Sequence, residues 1–159
     1  MKSLVVYYSL TGKTRLVAQA TAEALNATLV EIQETRPIPW PFVYLSGGFA
    51  AFTNRGRKID PIDVDLKQYE RIFIGSPVWA YRPTPAVNSF IYQTNFEGRD
   101  VIPFFTMGGD DSGKALENIT AKIVKSGGKV VGSFAITSSN VSDEEMIAKA
   151  KEAVKNYSS

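Results

Sequence analysis

The chain has 159 residues, with 44% hydrophobic and 21% charged residues and a formal charge of +2, a balance that describes one globular domain across residues 1–159 able to bury about two thirds of its unfolded surface. So small a charge, spread along the chain, excludes the basic footprint of a nucleic-acid binder. The absence of cysteine and histidine excludes disulfides, thiolate nucleophiles, histidine bases and most transition-metal sites, so any redox chemistry has to be carried by a bound organic cofactor. No apolar run approaches the roughly 20 residues of a membrane span, and the start at Met1-Lys2-Ser3 lacks the features of a signal peptide, which predicts a cytoplasmic protein.

In chain order, the first apolar run, Ser3 to Tyr8, predicts a strand, and Leu16, Val17, Ala20 and Ala24 form one stripe of a helix over Thr14 to Leu25. Between them lies SLTGKTR, Ser9 to Arg15. Its Gly-Lys-Thr resembles the end of a Walker loop, but that loop needs a glycine five residues before the Gly-Lys pair, and Tyr7 stands there. What remains is a short turn in which Ser9, Thr11 and Thr14 offer hydroxyls, and Gly12, Lys13 and Thr14 offer amides at a helix N-terminus. That chemistry suits one small anion.

Thr28 to Gln33 alternates polar and apolar residues and predicts an edge strand. The stretch Glu34 to Asp60 is long for a βα connection, with a short helix predicted over Phe42 to Phe52 and a basic cluster at Arg55, Arg57 and Lys58 that reads as a solvated loop. Arg71 to Gly75 predicts a third strand, followed by the loop Ser76 to Pro85 and a helix over Pro85 to Tyr92 that buries Val87, Phe90 and Ile91. Val101 to Thr106 predicts the fourth strand. Pro103 sits inside it without an N–H to donate, which argues for a strand start or a bulge there.

After the loop Met107 to Ser112, Ser112 is placed to cap a helix that buries Leu116, Ile119, Ile123 and Val124 and ends at Gly127. Val130 to Thr137 predicts the fifth strand. Ser142 and Glu145 then form a capping box for a last helix that runs through Met146, Ala150, Ala153 and Val154. Alternating strands and helices, with strands apolar at successive positions, predict an α/β fold whose sheet is covered on both faces.

In such a sheet, ligands lie beyond the carboxyl ends of the strands, and three loops there carry unusual residues. The first loop's Ser-x-Thr-Gly-x-Thr pattern, placed straight after the first strand, resembles the phosphate loop of the flavodoxin family. The second loop, GSPVWAYRPTP, is similar to that family's Gly-Ser/Thr-Pro followed by an aromatic. The third loop, TMGGDDSG, is similar to its ring-edge loop.

This resemblance implies a doubly wound, five-stranded parallel sheet in the order 2-1-3-4-5, FMN as a non-covalent cofactor, and electron transfer through it. It assigns Ser9, Thr11, Gly12, Lys13 and Thr14 to the phosphate. It assigns Ser76, Pro77, Val78, Trp79, Ala80 and Tyr81 to the ring, with Trp79 as the stacking aromatic, and Thr106, Met107, Gly108, Gly109 and Asp110 to the ring edge. The partner implied is a redox protein or a small electron donor or acceptor.

Several residues depart from the family pattern. Lys13 stands in place of the usual asparagine and brings a cation near the phosphate. Gly113 falls where a tyrosine often covers the second ring face, and Trp40, Phe42 or Tyr44 are candidates to cover it instead. A small NAD(P)H- or quinone-linked reductase is therefore the alternative to a carrier, and a cofactor-free interaction domain is a third reading. A phosphoacceptor receiver is disfavoured, since Tyr8-Ser9 and Ser76-Pro77 occupy the positions of its acidic residues. Asp110 and Asp111, adjacent on a turn, read as solvated charges near the ring rather than a magnesium site.

Overall fold

The computed structural model describes residues 1–36, 57–79, 81–109 and 111–158. Its elements are β1 (Ser3–Tyr7), α1 (Lys13–Leu25), β2 (Thr28–Glu31), β3 (Arg71–Trp79), β4 (Arg82–Pro83), α2 (Pro85–Tyr92), β5 (Asp100–Met107), α3 (Gly113–Lys125), β6 (Lys129–Val130), β7 (Phe134–Thr137) and α4 (Asp143–Ala153). Single turns of 3-10 helix lie at Leu66–Gln68 and Lys155–Tyr157. The main path of the sheet is β2-β1-β3-β5-β6, with β7 also pairing with β5 and β4 with β3. This is the expected 2-1-3-4-5 order, in which β6 and β7 share the fifth position.

Successive apolar residues serve opposite faces. Leu4, Val6, Ile72, Ile74 and Val101 pack against Val87 and Ile91 of α2 and Ile119 and Ile123 of α3. Val5, Tyr7, Phe73, Ile102 and Phe104 pack against Val17 and Ala18 of α1 and Met146 and Ala150 of α4. A strand with a helix layer on each side has no polar face to present, which is why these runs do not alternate. β2, at the edge, is partly exposed throughout.

Three local features depart from expectation. The fifth run is not one strand over Val130 to Thr137 but two short pieces, parted at Val131 to Ser133. Pro103 starts no strand: it lies within β5, paired in register with Ile74 of β3. Val101 and Met107 turn their carbonyls to the outer neighbours, accepting from the amides of Val131 and Ser138, and the period of two puts Pro103 on that same side. There it meets the gap between β6, which pairs with Asp100 and Val101, and β7, which begins opposite Phe104. The missing N–H thus coincides with the break in the edge strand.

The third departure is in β3, which continues to Trp79 instead of ending at Gly75 and folds back as an antiparallel hairpin, with Val78 opposite Pro83 and Trp79 opposite Arg82. Gly75 allows the tight packing beneath it, since a Cβ there would lie 2.3 Å from Phe104 Cζ. The helix predicted over Phe42 to Phe52, together with Trp40, Phe42, Tyr44 and Arg55, lies outside the described residues.

Candidate functional site

The first loop leaves β1 at Tyr8, a buried residue whose phenol donates to the Glu34 carboxylate; burial, and then the negative charge of Glu34, push its pKa well above the usual value. Glu34 also pairs with Arg57 at 3.1 Å. This buried network was not legible in the sequence, because its members are far apart along the chain.

Ser9 Oγ accepts hydrogen bonds from the amides of Gly12 at 3.1 Å and Arg15 at 3.2 Å, which curls the loop onto the start of α1. Gly12 caps that helix with φ of 95°, in the left-handed region that favours glycine. The helix-start amides of Lys13 and Thr14 have no intrahelical acceptor, and the first turn carries no acidic residue. Among the described residues, and apart from its chain neighbours, no atom lies within 4 Å of where a Gly12 Cβ would stand, so they leave the cradle open on that side. Hydroxyl, glycine and helix-end amides together fit a monophosphate.

The other members of this loop are less uniform than the sequence implied. Thr11 is exposed, whereas Thr14 is buried and its Oγ1 lies 2.6 Å from Oγ1 of Thr106, also buried, at the end of β5. Lys13 Nζ pairs with Asp143 Oδ1 at 3.0 Å, at the start of α4.

In the second loop, Ser76 is fully buried. Its Oγ accepts from the Thr84 amide at 3.0 Å and donates to the Pro77 carbonyl at 2.8 Å, so it locks the base of the hairpin. Trp79 is half-buried at the hairpin's end, edge-on to Tyr8 with ring centroids 6.3 Å apart. Tyr81 holds φ of 61°, a strained value for an aromatic residue, and is 63% exposed, with the Lys114 ammonium 5.4 Å from its ring centroid. Ala80 lies outside the described residues, as does Asp110 in the third loop.

Met107 is buried, Gly108 and Gly109 are exposed, and the Met107 carbonyl accepts from the Ser138 amide. Thr137 Oγ1 donates to the Gly109 carbonyl at 3.4 Å. Val78, Tyr81, Met107, Gly108, Gly109 and Asp111 together line an open depression of about 340 Å³, so the second and third loops meet as expected. Asp111 Oδ1 accepts from the Gly113 amide at 2.8 Å, a local turn contact. Among the described residues no cluster of acidic residues is arranged to hold a metal ion, and no helix is long and apolar enough to cross a membrane.

With this geometry, the chain matches a family model described as flavodoxin over residues 53–149. The chain belongs to the flavodoxin family. Solved structures share its fold. The flavoprotein from Lactobacillus acidophilus, solved in complex with FMN, is 22% identical with a TM-score of 0.75, covering 84% of this chain and 92% of its own. A protein from Bacteroides uniformis is 25% identical with a TM-score of 0.74, covering 94% and 97%. The oxidised flavodoxin 2 of Bacillus cereus is 18% identical with a TM-score of 0.62, covering 99% of both chains. Among curated proteins, none matches the chain.

Within this flavodoxin fold one basic residue is out of place. Lys122 on α3 is only 8% exposed, and its Nζ donates to Asn88 Oδ1 on α2 at 2.8 Å and to Asn118 Oδ1. Burial, and then the positive charge of Arg82, lower its pKa to about 8. Val124, expected in the core, is 58% exposed instead. A lysine within a polar helical stripe reads as a surface residue, and no local signal distinguished this one.

Proposed function

We propose that this single-domain protein binds FMN non-covalently at the carboxyl edge of its sheet and transfers electrons through it. The observation that carries the reading is the first loop, where the left-handed Gly12 and the bonds to Ser9 Oγ present helix-end amides to one anion. When bound, FMN supplies the redox chemistry, and the protein supplies binding, orientation and tuning. Ser9, Thr11, Gly12, Lys13 and Thr14 serve the phosphate, and the Thr14 hydroxyl retains a proton for it when Thr106 is the donor in their shared bond. Ser76 and Pro77 set the hairpin that offers Trp79, with Val78, Ala80 and Tyr81, to the ring. Thr106, Met107, Gly108, Gly109 and Asp110 serve its edge, where the exposed glycines allow close backbone approach.

FMN added to the purified protein is expected to lose its fluorescence on stacking and to show a shifted visible spectrum, with the quenching weakened in Trp79→Ala. A titration with neither change overturns the reading and leaves the fold serving interaction alone.

A reductase that uses NAD(P)H and a quinone is the second reading. It is supported by Gly113, which starts α3 exposed and offers no side chain to cover a ring face. Steady NAD(P)H oxidation on addition of quinone decides for it, and no such turnover decides for a carrier that works with a redox partner protein in the cytoplasm.

A further inference from the structure

Four parts of the chain meet beside Trp79 through one buried ion pair. The Tyr8 phenol, just past the end of β1, donates to the carboxylate of Glu34, which follows β2. The Glu34 side chain is 6% exposed and pairs with Arg57 Nε at 3.1 Å. Arg57 is fixed in turn. Its amide donates to Ser89 Oγ of α2 at 2.7 Å, the Ser89 hydroxyl donates back to its carbonyl, and its Nη2 donates to the Arg36 carbonyl at 3.2 Å. Backbone pairing holds the two segments of the ion pair in register: Glu34 is bridged to Ile59, the Thr35 amide donates to the Lys58 carbonyl at 3.0 Å, and the Asp60 amide donates to the Gln33 carbonyl at 2.8 Å.

A buried ion pair is a poor source of stability, because its desolvation cost rivals its attraction and apolar residues of similar volume do as well. What it supplies here is direction. A carboxylate held on one side by a fixed guanidinium keeps its remaining acceptor sites aimed at the phenol, and burial and the charge of Glu34 keep that phenol protonated as a donor. The Tyr8 ring is therefore held in one plane. It packs edge-on to Trp79, with centroids 6.3 Å apart and planes at 85°, close to the perpendicular arrangement that aromatic pairs favour. Trp79 needs such a support, since pairing with Arg82 at the end of β3 fixes its main chain but not its side-chain torsions.

We propose that Tyr8, held by Glu34 and Arg57, is a positioning residue that sets the plane of the Trp79 indole for stacking on the ring of the cofactor. The orientation of Trp79 belongs to the protein alone, whereas its consequence for the cofactor rests on the function proposed above. Tyr8 directly precedes Ser9, so the test has to separate the ring from the phosphate loop.

The native full chain is compared with Tyr8→Phe, Glu34→Leu and the double variant. Nitrogen-15 NMR without FMN reads the indole N–H of Trp79, identified by its loss in Trp79→Phe. Fluorescence quenching then reads the affinity for FMN and for riboflavin, which carries the ring without the phosphate. Each single variant is expected to shift the indole signal and to weaken both flavins alike by about fivefold, the order of one lost hydrogen bond. The double variant should do no more than the stronger single one, because the two residues act along one path. Arg57→Lys, which keeps a cation beside Glu34, should stay near the native values. An indole signal unmoved in folded Tyr8→Phe overturns the proposal, as does a loss confined to FMN, which places the effect in the phosphate loop, or a double variant that is additive. A lowered melting temperature without these changes marks a structural role and overturns it likewise. Should Glu34→Leu not fold, Tyr8→Phe decides alone. If the native chain binds neither flavin, the function proposed above fails, and the indole signal still decides whether Tyr8 orients Trp79.

Discussion

Thr14 and Thr106 share a buried hydrogen bond of 2.6 Å that ties the start of α1 to the end of β5. Replacing either threonine by valine leaves the other hydroxyl buried without its partner, at a cost of about 1–3 kcal/mol. Urea unfolding of the two single variants and the double variant is expected to show the double costing clearly less than the sum. Because Thr106 stands behind Thr14, Thr106→Val is also expected to weaken FMN binding by about fivefold, equivalent to about 1 kcal/mol.

Gly12→Ala places a side chain at φ of 95°. The left-handed conformation costs a residue with a Cβ about 1–2 kcal/mol, so the variant is expected to unfold at lower urea concentration. The described residues leave the space around the position open, so the effect comes from the backbone. Gly12→Asn, which tolerates this region better, should recover part of the loss in the same measurement.

Gly75→Ala drives a methyl group to within 2.3 Å of the Phe104 ring. Overpacking of this kind costs about 1–3 kcal/mol, seen as a lower melting temperature. Adding Phe104→Leu, which removes the ring atoms in contact, should restore part of that loss. The two changes are expected to be strongly non-additive, since the residues are direct neighbours across β3 and β5.

The Lys122 ammonium has a folded pKa of about 8, below its ordinary 10.5. Between those values the unfolded chain holds a proton that the folded chain has released, so this group makes stability rise with pH through that window. Below about pH 8 both states are protonated and its contribution is flat. Above pH 10 Tyr8 opposes it, since its raised pKa keeps a proton that the unfolded phenol loses. From pH 7.5 to 9.5 in chloride buffer, the melting temperature of the native chain is expected to gain about 2–4 °C relative to Lys122→Met for each kcal/mol of this linkage. A constant difference across that range counts against it.

Lys13→Asn removes an exposed ion pair with Asp143. Such pairs contribute about 0–1 kcal/mol, so stability should barely change. With its ammonium committed to Asp143, the Lys13 side chain is expected to add little to the phosphate contact that its backbone amide makes, and FMN affinity measured by fluorescence quenching should stay within about twofold. Asp143→Asn, by releasing the ammonium, should tighten FMN binding at low salt.

The alternation of elements, the two-sided burial of the strands and most helix stripes were legible in the sequence because they depend on periods of 2 and 3.6 that a local window contains. Caps were legible for the same reason: Ser142 Oγ accepts from the Glu145 amide as its spacing implied, although Ser112 caps α3 without a side-chain bond and Asp111 reaches the Gly113 amide instead. The three loops could be placed at one edge because chain order in a doubly wound sheet brings the strand ends together.

Tertiary structure alone decided the rest. Pro103 is tolerated in a central strand because the neighbouring edge strand breaks beside it. Ser76 and Pro77 lie on strand rather than in a loop because they pair with Phe105 and Thr106 of β5, and Val78 and Trp79 because β4 returns to pair with them. The ammonium of Lys13 meets a carboxylate 130 residues away, and Lys122 is buried while Val124 faces out. In each case the deciding partner is remote in sequence, and a residue's own pattern states what kind of surface it prefers but not which neighbour packing will bring to it.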